Sequence, residues 1–342
     1  MRWYGLLLLS LLLLLPAACT RQAPEVLHLG GETMGTTWSV SLRPAEVKDS
    51  IALQAQLQAR LDHINRLMST YDPRSEISRF NQQLNRDWFA VSPPTAAVVA
   101  LAQQISALTD GAFDISVGPL VELWGFGASP RGAQIPEVEQ LRQALEQVGY
   151  QRLDLRLDPP ALRKQVPRLR IDLSAVAKGY AVDALKALLK QQGVRNFIVE
   201  IGGELQISGE RAGGKPWRIA VEKPQEEVRA VGKVLLLKDT ALATSGNYRN
   251  FYVENGQRYA HTIDPKSGRP IQHRLASVTV LDPSCARADA LATALMVLGE
   301  EQGRLLCEKA GIAALFLIHK GEAGLEEYAS PSFAAALAGG QP

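Results

Sequence analysis

The apolar positions of the chain follow two periods, and the switches between them outline its elements. Residues 36–43 (TTWSVSLR) alternate as a strand does. From Asp49 to Met68 the spacing turns helical, with Ile51, Leu53, Leu57, Leu61, Ile64 and Leu67 on the repeat. A second helix is predicted from about Thr95 to Leu108, stopped by Asp110-Gly111. Residues 128–168 are richer in Pro, Gln and Arg and read as a surface insertion with one helix at 136–147. The pattern then resumes with LRIDL (169–173) as a strand, a helix from Ala177 to Gln191 closed by Gly193, and NFIVEI (196–201) as a strand. Strands follow at 204–208, 217–223, 232–237 and 258–263, punctuated by Gly, Asn and Pro. LASVTVL (275–281) precedes a helix over 288–299, and AALFLI (313–318) follows another. Helices and strands come in blocks rather than in strict alternation. That predicts an α+β protein, with mainly antiparallel sheets and packed helices.

The N-terminus departs from this pattern. Met1-Arg2 leads into LLLLSLLLLLPAAC (6–19), an apolar run too short to span a bilayer and of the form of a secretory signal. Small residues before Cys19 resemble the bacterial lipoprotein signal, which predicts lipidation of Cys19, loss of residues 1–18 and a tether over 19–29. Pro16 stands where that signal usually has Leu, so ordinary cleavage nearby remains the alternative. Thr20 after the Cys favours the outer membrane by analogy, with inner versus outer left open.

At 342 residues the chain is long enough for one large domain or two smaller ones. A formal net charge of +2, with no basic run, argues against a nucleic-acid partner. Beyond Cys19 only Cys285 and Cys307 remain; a disulfide between them is left open, against a buried apolar role. The absence of CxxC, HExxH and paired-His patterns argues against a zinc centre.

Several segments carry more Gly, polar and turn residues than packing requires. GGETMGTTW (30–38) places Met34, a soft surface for a flat ring, among glycines, although taken alone a strand-entry turn is the plainer account. MSTYDPRSEISRFN (68–81) offers Tyr71 for stacking beside the Asp72-Pro73 turn, with Ser75 and Ser78 as caps. TDGAFDISVGPLVELWGFG (109–127) sets Asp114 among apolar residues, where a turn-satisfied Asp is the plainer account. IDLSAVAKGYAVD (171–183) reads as strand, turn and helix start, a natural place for phosphate that is not a Walker loop. VEIGGELQISG (199–209) has a Gly pair that lets a strand pass close to a ligand. In LATSGNYRNFYVENGQRYAHTIDPKSGRPI (242–271), His261 sits beside Thr262 at a strand end. In ADALATALMVLG (288–299), Asp289 and Thr293 are the only side-chain oxygens. Spaced i, i+4, they share a helix face. They are either first-turn decoration or two hard oxygens aimed at a ligand.

In this order, these blocks resemble the ApbE family of FAD:protein FMN transferases, once described as thiamine-biosynthesis lipoproteins. The resemblance spans about Gly30 to Pro331, with Lys266-Ser267 a small departure where relatives often have Thr second. It implies one large ApbE-like, T-fold-related domain over 30–335. It also implies Mg²⁺-dependent cleavage of FAD, with FMN joined through a phosphoester to a Thr or Ser of a target protein and AMP released. By resemblance, Asp289 and Thr293 are metal ligands and the Ala175 carbonyl is a third. Met34, Tyr71, Asp72 and Pro73 would line one side of FAD, and Ala112, Phe113, Asp114 and Lys178 would contact other parts. His261, Thr262 and Ile263 fall near the pyrophosphate. His261 and Asp289 are the implied catalytic pair, His261 to orient a phosphate or assist proton transfer and Asp289 through the metal. The implied acceptor is a subunit of a membrane redox complex, of the sodium-pumping NADH:quinone reductase or Rnf type. The implied location is the periplasmic face of the envelope, lipid-anchored. An FAD pyrophosphatase giving FMN and AMP, and a lipid-anchored flavin carrier without catalysis, remain the alternatives.

Overall fold

The computed structural model describes residues 26–127, 134–222, 231–247, 251–254, 256–321 and 324–338. Cys19, the signal segment 1–18 and most of the 19–29 tether lie outside them. An eight-stranded sheet organises the molecule: β1 (Leu27–Thr33), β2 (Thr36–Leu42), β3 (Phe197–Ile201), β4 (Glu204–Ser208), β5 (Ala241–Gly246), β6 (Leu275–Asp282), β7 (Ala313–His319) and β8 (Leu325–Ala329). Each strand lies beside its predecessor in this series, and every pairing is antiparallel. The expected α+β class with antiparallel sheets is therefore what the chain adopts.

The connections supply the helices. Between β2 and β3 come α1 (Ser50–Met68), α2 (Glu76–Gln82), α3 (Pro93–Leu108), α4 (Gly118–Leu123), α5 (Val138–Leu145) and α6 (Ser174–Gln191). The helix α7 (Cys285–Ala310) joins β6 to β7, and α8 (Pro331–Ala338) follows β8. In α1, Asp49 accepts the Ala52 N–H at 3.0 Å, capping the first turn. Its buried stripe is Leu53, Leu57, Leu61, Ile64 and Met68, while Ile51, expected on that face, is 83% exposed.

Two layers cover the sheet. Phe197, Val199 and Ile201 of β3 share one core with α1, α3, α6 and α7. On the other side, Ile207, Leu242, Leu281 and Leu315 pack with the hairpin Trp217–Glu222/Val231–Leu237 and with Phe333 of α8. With both faces covered, β6 is buried from Leu275 to Leu281, which is why its sequence reads as an apolar run rather than an alternation. A smaller cluster of Leu120, Trp124, Leu141, Tyr259 and Ile263 ties α4 and α5 to the hairpin Phe251–Glu254/Gln257–Ala260.

Three expectations need correction. LRIDL (169–173) is extended but pairs with no strand; the Asn81 amide clamps Ile171 through N–H and C=O, both at 2.8 Å, in place of a neighbour. Residues 128–168 are more than a surface insertion. The hairpin Leu153–Leu157/Pro160–Lys164 puts Leu153 and Leu162 into the main core and pairs with Phe89–Ala90. The helix expected at 288–299 runs on to Ala310, kinked at Gly299 (φ 75°). Cys285 and Cys307, both free and buried, lie near opposite ends of α7 and form no disulfide.

Candidate functional site

A cleft opens above the N-terminal ends of α6 and α7 as two chambers, one of about 600 Å³ and one of about 400 Å³. Tyr71, Ser174 and Lys178 border both, so the two are continuous. The larger is walled by Met34, Gly35, Asn65 and Met68. Met34 (φ 49°) and Gly35 (φ 71°) are the two-residue tip of the β1–β2 hairpin, where both central residues must take positive φ. Tyr71 stands 69% exposed on a loop built by Ser69. The Ser69 hydroxyl accepts the Tyr71 and Asp72 N–H groups, while Ser75 and Ser78 donate to its carbonyl. That network explains the serines of the motif.

The floor of the smaller chamber is the crossing of α6 and α7. A Cβ on Gly179 would lie 2.4 Å from the Cys285 carbonyl oxygen, so only glycine admits this approach. Asp183 of α6 caps α7, accepting from the Ser284 hydroxyl (2.7 Å) and the Cys285 (3.0 Å) and Ala286 (3.1 Å) N–H groups. One helical turn further, Asp289 Oδ2 accepts the Gly179 N–H at 3.0 Å. Gly179 lies four residues after Ala175 on α6, so Asp289 reaches the helical turn that carries Ala175. Thr293, four residues on, opens onto the same chamber as Asp289 and Ala175.

Lys178 joins the group from α6. Its Nζ is 2.6 Å from Glu204 Oε1 and 3.9 Å from Asp289 Oδ1, the latter beyond hydrogen-bond length. Burial pushes Glu204 up to about 8, with the Lys178 ammonium pulling down and the Asp289 charge pushing up. Burial likewise raises Asp289, against Lys178 and the Gly179 N–H. Burial pulls Lys178 down, but the Asp289 and Glu204 carboxylates outweigh it, and its pKa is raised. The cluster thus sets two buried carboxyl groups around one ammonium.

The remaining candidates divide. Ala112, Phe113, Asp114, His261, Thr262 and Ile263 line the smaller chamber. Both oxygens of Asp114 are already engaged, Oδ1 with the Ser116 N–H and hydroxyl and Oδ2 with the Tyr150 N–H. His261 packs edge-on to Phe126, ring centres 6.4 Å apart. Asp72 and Pro73 lie in the turn beyond Tyr71, outside both chambers, where Asp72 binds Arg74. Sequence reasoning missed Glu204, Asp172, Ser174, Thr244 and Phe126, which also line the smaller chamber. Glu204 had a signal: with Gln206 and Ser208 it makes a polar, buried face in a strand that should bury apolar residues.

The donor set suits a hard cation. Asp289, Thr293 and Ala175 line one chamber and can offer a carboxylate, a hydroxyl and a backbone carbonyl, and among the described residues Asp289 Oδ1 accepts no hydrogen bond, the Lys178 ammonium standing 3.9 Å away. Among the described residues no group of three or more His, Cys, Asp or Glu side chains could hold a metal. Helix N-terminal amides and Lys178 beside it suit phosphate.

The comparisons place the chain in a family. The family model described as ApbE family matches residues 34–316. The FAD:protein FMN transferase of Vibrio cholerae is 46% identical over 334 residues, covering 97% of this chain and 98% of that protein. The solved structure of the flavin transferase ApbE from the same organism superposes with a TM-score of 0.83 at 45% identity, covering 91% of this chain and 98% of the other. The flavinyl transferase ApbE of Pseudomonas stutzeri gives 0.84 at 40% identity, over 93% and 98%. Sequence and architecture coincide over nearly the whole described length, and the chain belongs to the ApbE family.

Proposed function

We propose that this protein transfers FMN from FAD to a hydroxyl of a target protein, at the α6/α7 crossing, with magnesium held by Asp289, Thr293 and the Ala175 carbonyl. The observation that carries this reading is that Asp289 and Thr293 open onto one chamber with Ala175, Lys178 and His261. Relatives named FAD:protein FMN transferase, matched over nearly their full length, support the reaction. Magnesium, when bound, neutralises phosphate oxygen charge, the main demand of phosphoryl transfer.

The chain's own residues do the rest. Met34 and Tyr71 offer a soft and an aromatic surface to the flavin ring. Lys178 faces the pyrophosphate at the mouth between the chambers. His261 takes up the proton of the acceptor Thr or Ser hydroxyl as its oxygen attacks the FMN phosphorus. The new phosphoester forms as the bond to the AMP phosphate breaks, and AMP leaves with the electron pair. The acceptor is a subunit of a membrane redox complex of the sodium-pumping NADH:quinone reductase or Rnf type, and Cys19 anchors the enzyme by lipid on the periplasmic side.

Incubation with FAD, Mg²⁺ and an acceptor, read by in-gel flavin fluorescence, tests the proposal. Asp289→Ala removes the only carboxylate ligand, so labelling should fall by several orders of magnitude while FAD still binds. Equal labelling by both proteins at limiting Mg²⁺ would overturn the metal assignment. Free FMN released without labelled acceptor would favour the pyrophosphatase, and FAD binding with neither product the carrier. Cys19→Ala should release an active, soluble enzyme; membrane retention would refute the anchor.

A further inference from the structure

We propose that Glu204 is a positioning residue that holds the Lys178 ammonium off Asp289, keeping a carboxylate oxygen of Asp289 free for a divalent cation. The inference rests on the magnesium reading above. Among the described residues Asp289 is pinned from one side only, Oδ2 by the Gly179 N–H at 3.0 Å. Oδ1 faces Lys178 Nζ across 3.9 Å, a gap that a four-carbon stem closes by a small rotation. An ammonium seated on Oδ1 would occupy the place a metal needs and neutralise the charge that attracts it.

What stops it is Glu204, whose Oε1 binds the same ammonium at 2.6 Å. The restraint is built rigidly. Glu204 opens β4 directly after the Gly202–Gly203 turn, whose residues take φ of 57° and 104°. A Cβ on Gly202 would stand 2.9 Å from Thr36 Cγ2 and 3.5 Å from Lys178 Cδ, so the turn lies against the lysine stem. Glu204 is 4% exposed, and its Oε2 has no hydrogen-bond partner among the described residues. A buried carboxylate in that state depends on Lys178 for its compensation, which binds the two strongly together. Each alone would be costly to bury; paired, they leave Asp289 as the carboxylate with an oxygen to spare.

The test titrates the full chain with Mn²⁺, a probe that takes the same hard oxygen ligands, and follows free Mn²⁺ by electron paramagnetic resonance without FAD or acceptor. Four proteins form a cycle: wild type, Glu204→Gln, Lys178→Met and the double variant. Glu204→Gln should weaken Mn²⁺ binding about tenfold, and adding Lys178→Met should recover most of that loss. Lys178→Met in the wild-type background should gain far less, because there the ammonium is already held away. Wild-type affinity in Glu204→Gln, or an equal gain from Lys178→Met in both backgrounds, would overturn the proposal and leave only a sum of charges. Should Glu204→Gln fail to fold, Glu204→Ala with and without Lys178→Met gives the same comparison. Binding absent from wild type, or undiminished by Asp289→Ala, would overturn the magnesium reading and this inference with it.

Discussion

Substituting Gly179 by Ala should separate the two helices that carry the reaction. The added Cβ would stand 2.4 Å from the Cys285 carbonyl oxygen and 2.7 Å from Ala286 Cα. Carbon–oxygen contacts relax at about 3.3 Å, so α6 and α7 must part by roughly 1 Å. Both obstructing atoms are backbone, and no rotamer change relieves them. Overpacking of this kind costs about 1–3 kcal/mol, a fall of a few degrees in melting temperature that leaves the protein folded. The chemical consequence is larger. The Gly179 N–H to Asp289 Oδ2 bond, now 3.0 Å, would open beyond hydrogen-bond length, and Asp289 would move away from the Ala175 carbonyl on the facing helix. Magnesium tolerates little departure from octahedral geometry, and a misplacement of about 1 Å costs roughly a hundredfold in rate. Initial rates of acceptor labelling at saturating FAD, across a Mg²⁺ titration, measure this. A folded Gly179→Ala protein with the wild-type rate and Mg²⁺ midpoint would refute the claim that the crossing sets the site.

Other consequences are open to direct measurement. Tyr71→Ala should weaken FAD binding by roughly 1–3 kcal/mol, borrowing the range for base–aromatic stacking, and unchanged affinity by fluorescence titration would place the ring elsewhere. Cys285 and Cys307 are buried and free, and burial pushes the Cys307 thiol up to about 12, so neither should react with maleimide until the protein is unfolded. Lys164 is 1% exposed with its ammonium on the Asn81 and Gln83 carbonyls, and burial, then the Arg170 charge, lower its pKa from 10.5 to about 8. Between those values the unfolded chain holds more protons, so stability from this group rises with pH there, by on the order of 3 kcal/mol. The melting temperature of wild type minus that of Lys164→Met should therefore grow from pH 7.5 to pH 10, and a constant difference would refute it.

Local periodicity carried a large part of this molecule. The buried stripe of α1, the strands β2, β4 and β7, and the shared face of Asp289 and Thr293 depend on neighbours within a few residues, and all were legible. The cap by Ser75 was legible for the same reason, since it accepts the Ser78 N–H three residues on, whereas the part of Ser69 as hub of the loop was not. Errors arose where burial came from distant partners. LRIDL alternates like a strand, yet what satisfies Ile171 is the Asn81 side chain, ninety positions back. Asp114 drew notice as a polar residue among apolar ones, but the Tyr150 N–H that it accepts belongs to another segment.

Which side chains could act was set locally, because an i, i+4 pair of oxygens or a Gly-Gly turn is a property of adjacent residues. What they act on together depends on the packing of distant segments. The Gly179 amide on Asp289, the cap that Asp183 places on α7 and the Glu204 that binds Lys178 all depend on two helices and a strand end meeting. Those contacts join residues up to 110 positions apart, and their geometry is set by how closely glycine and alanine let the backbones approach. No local period records that distance.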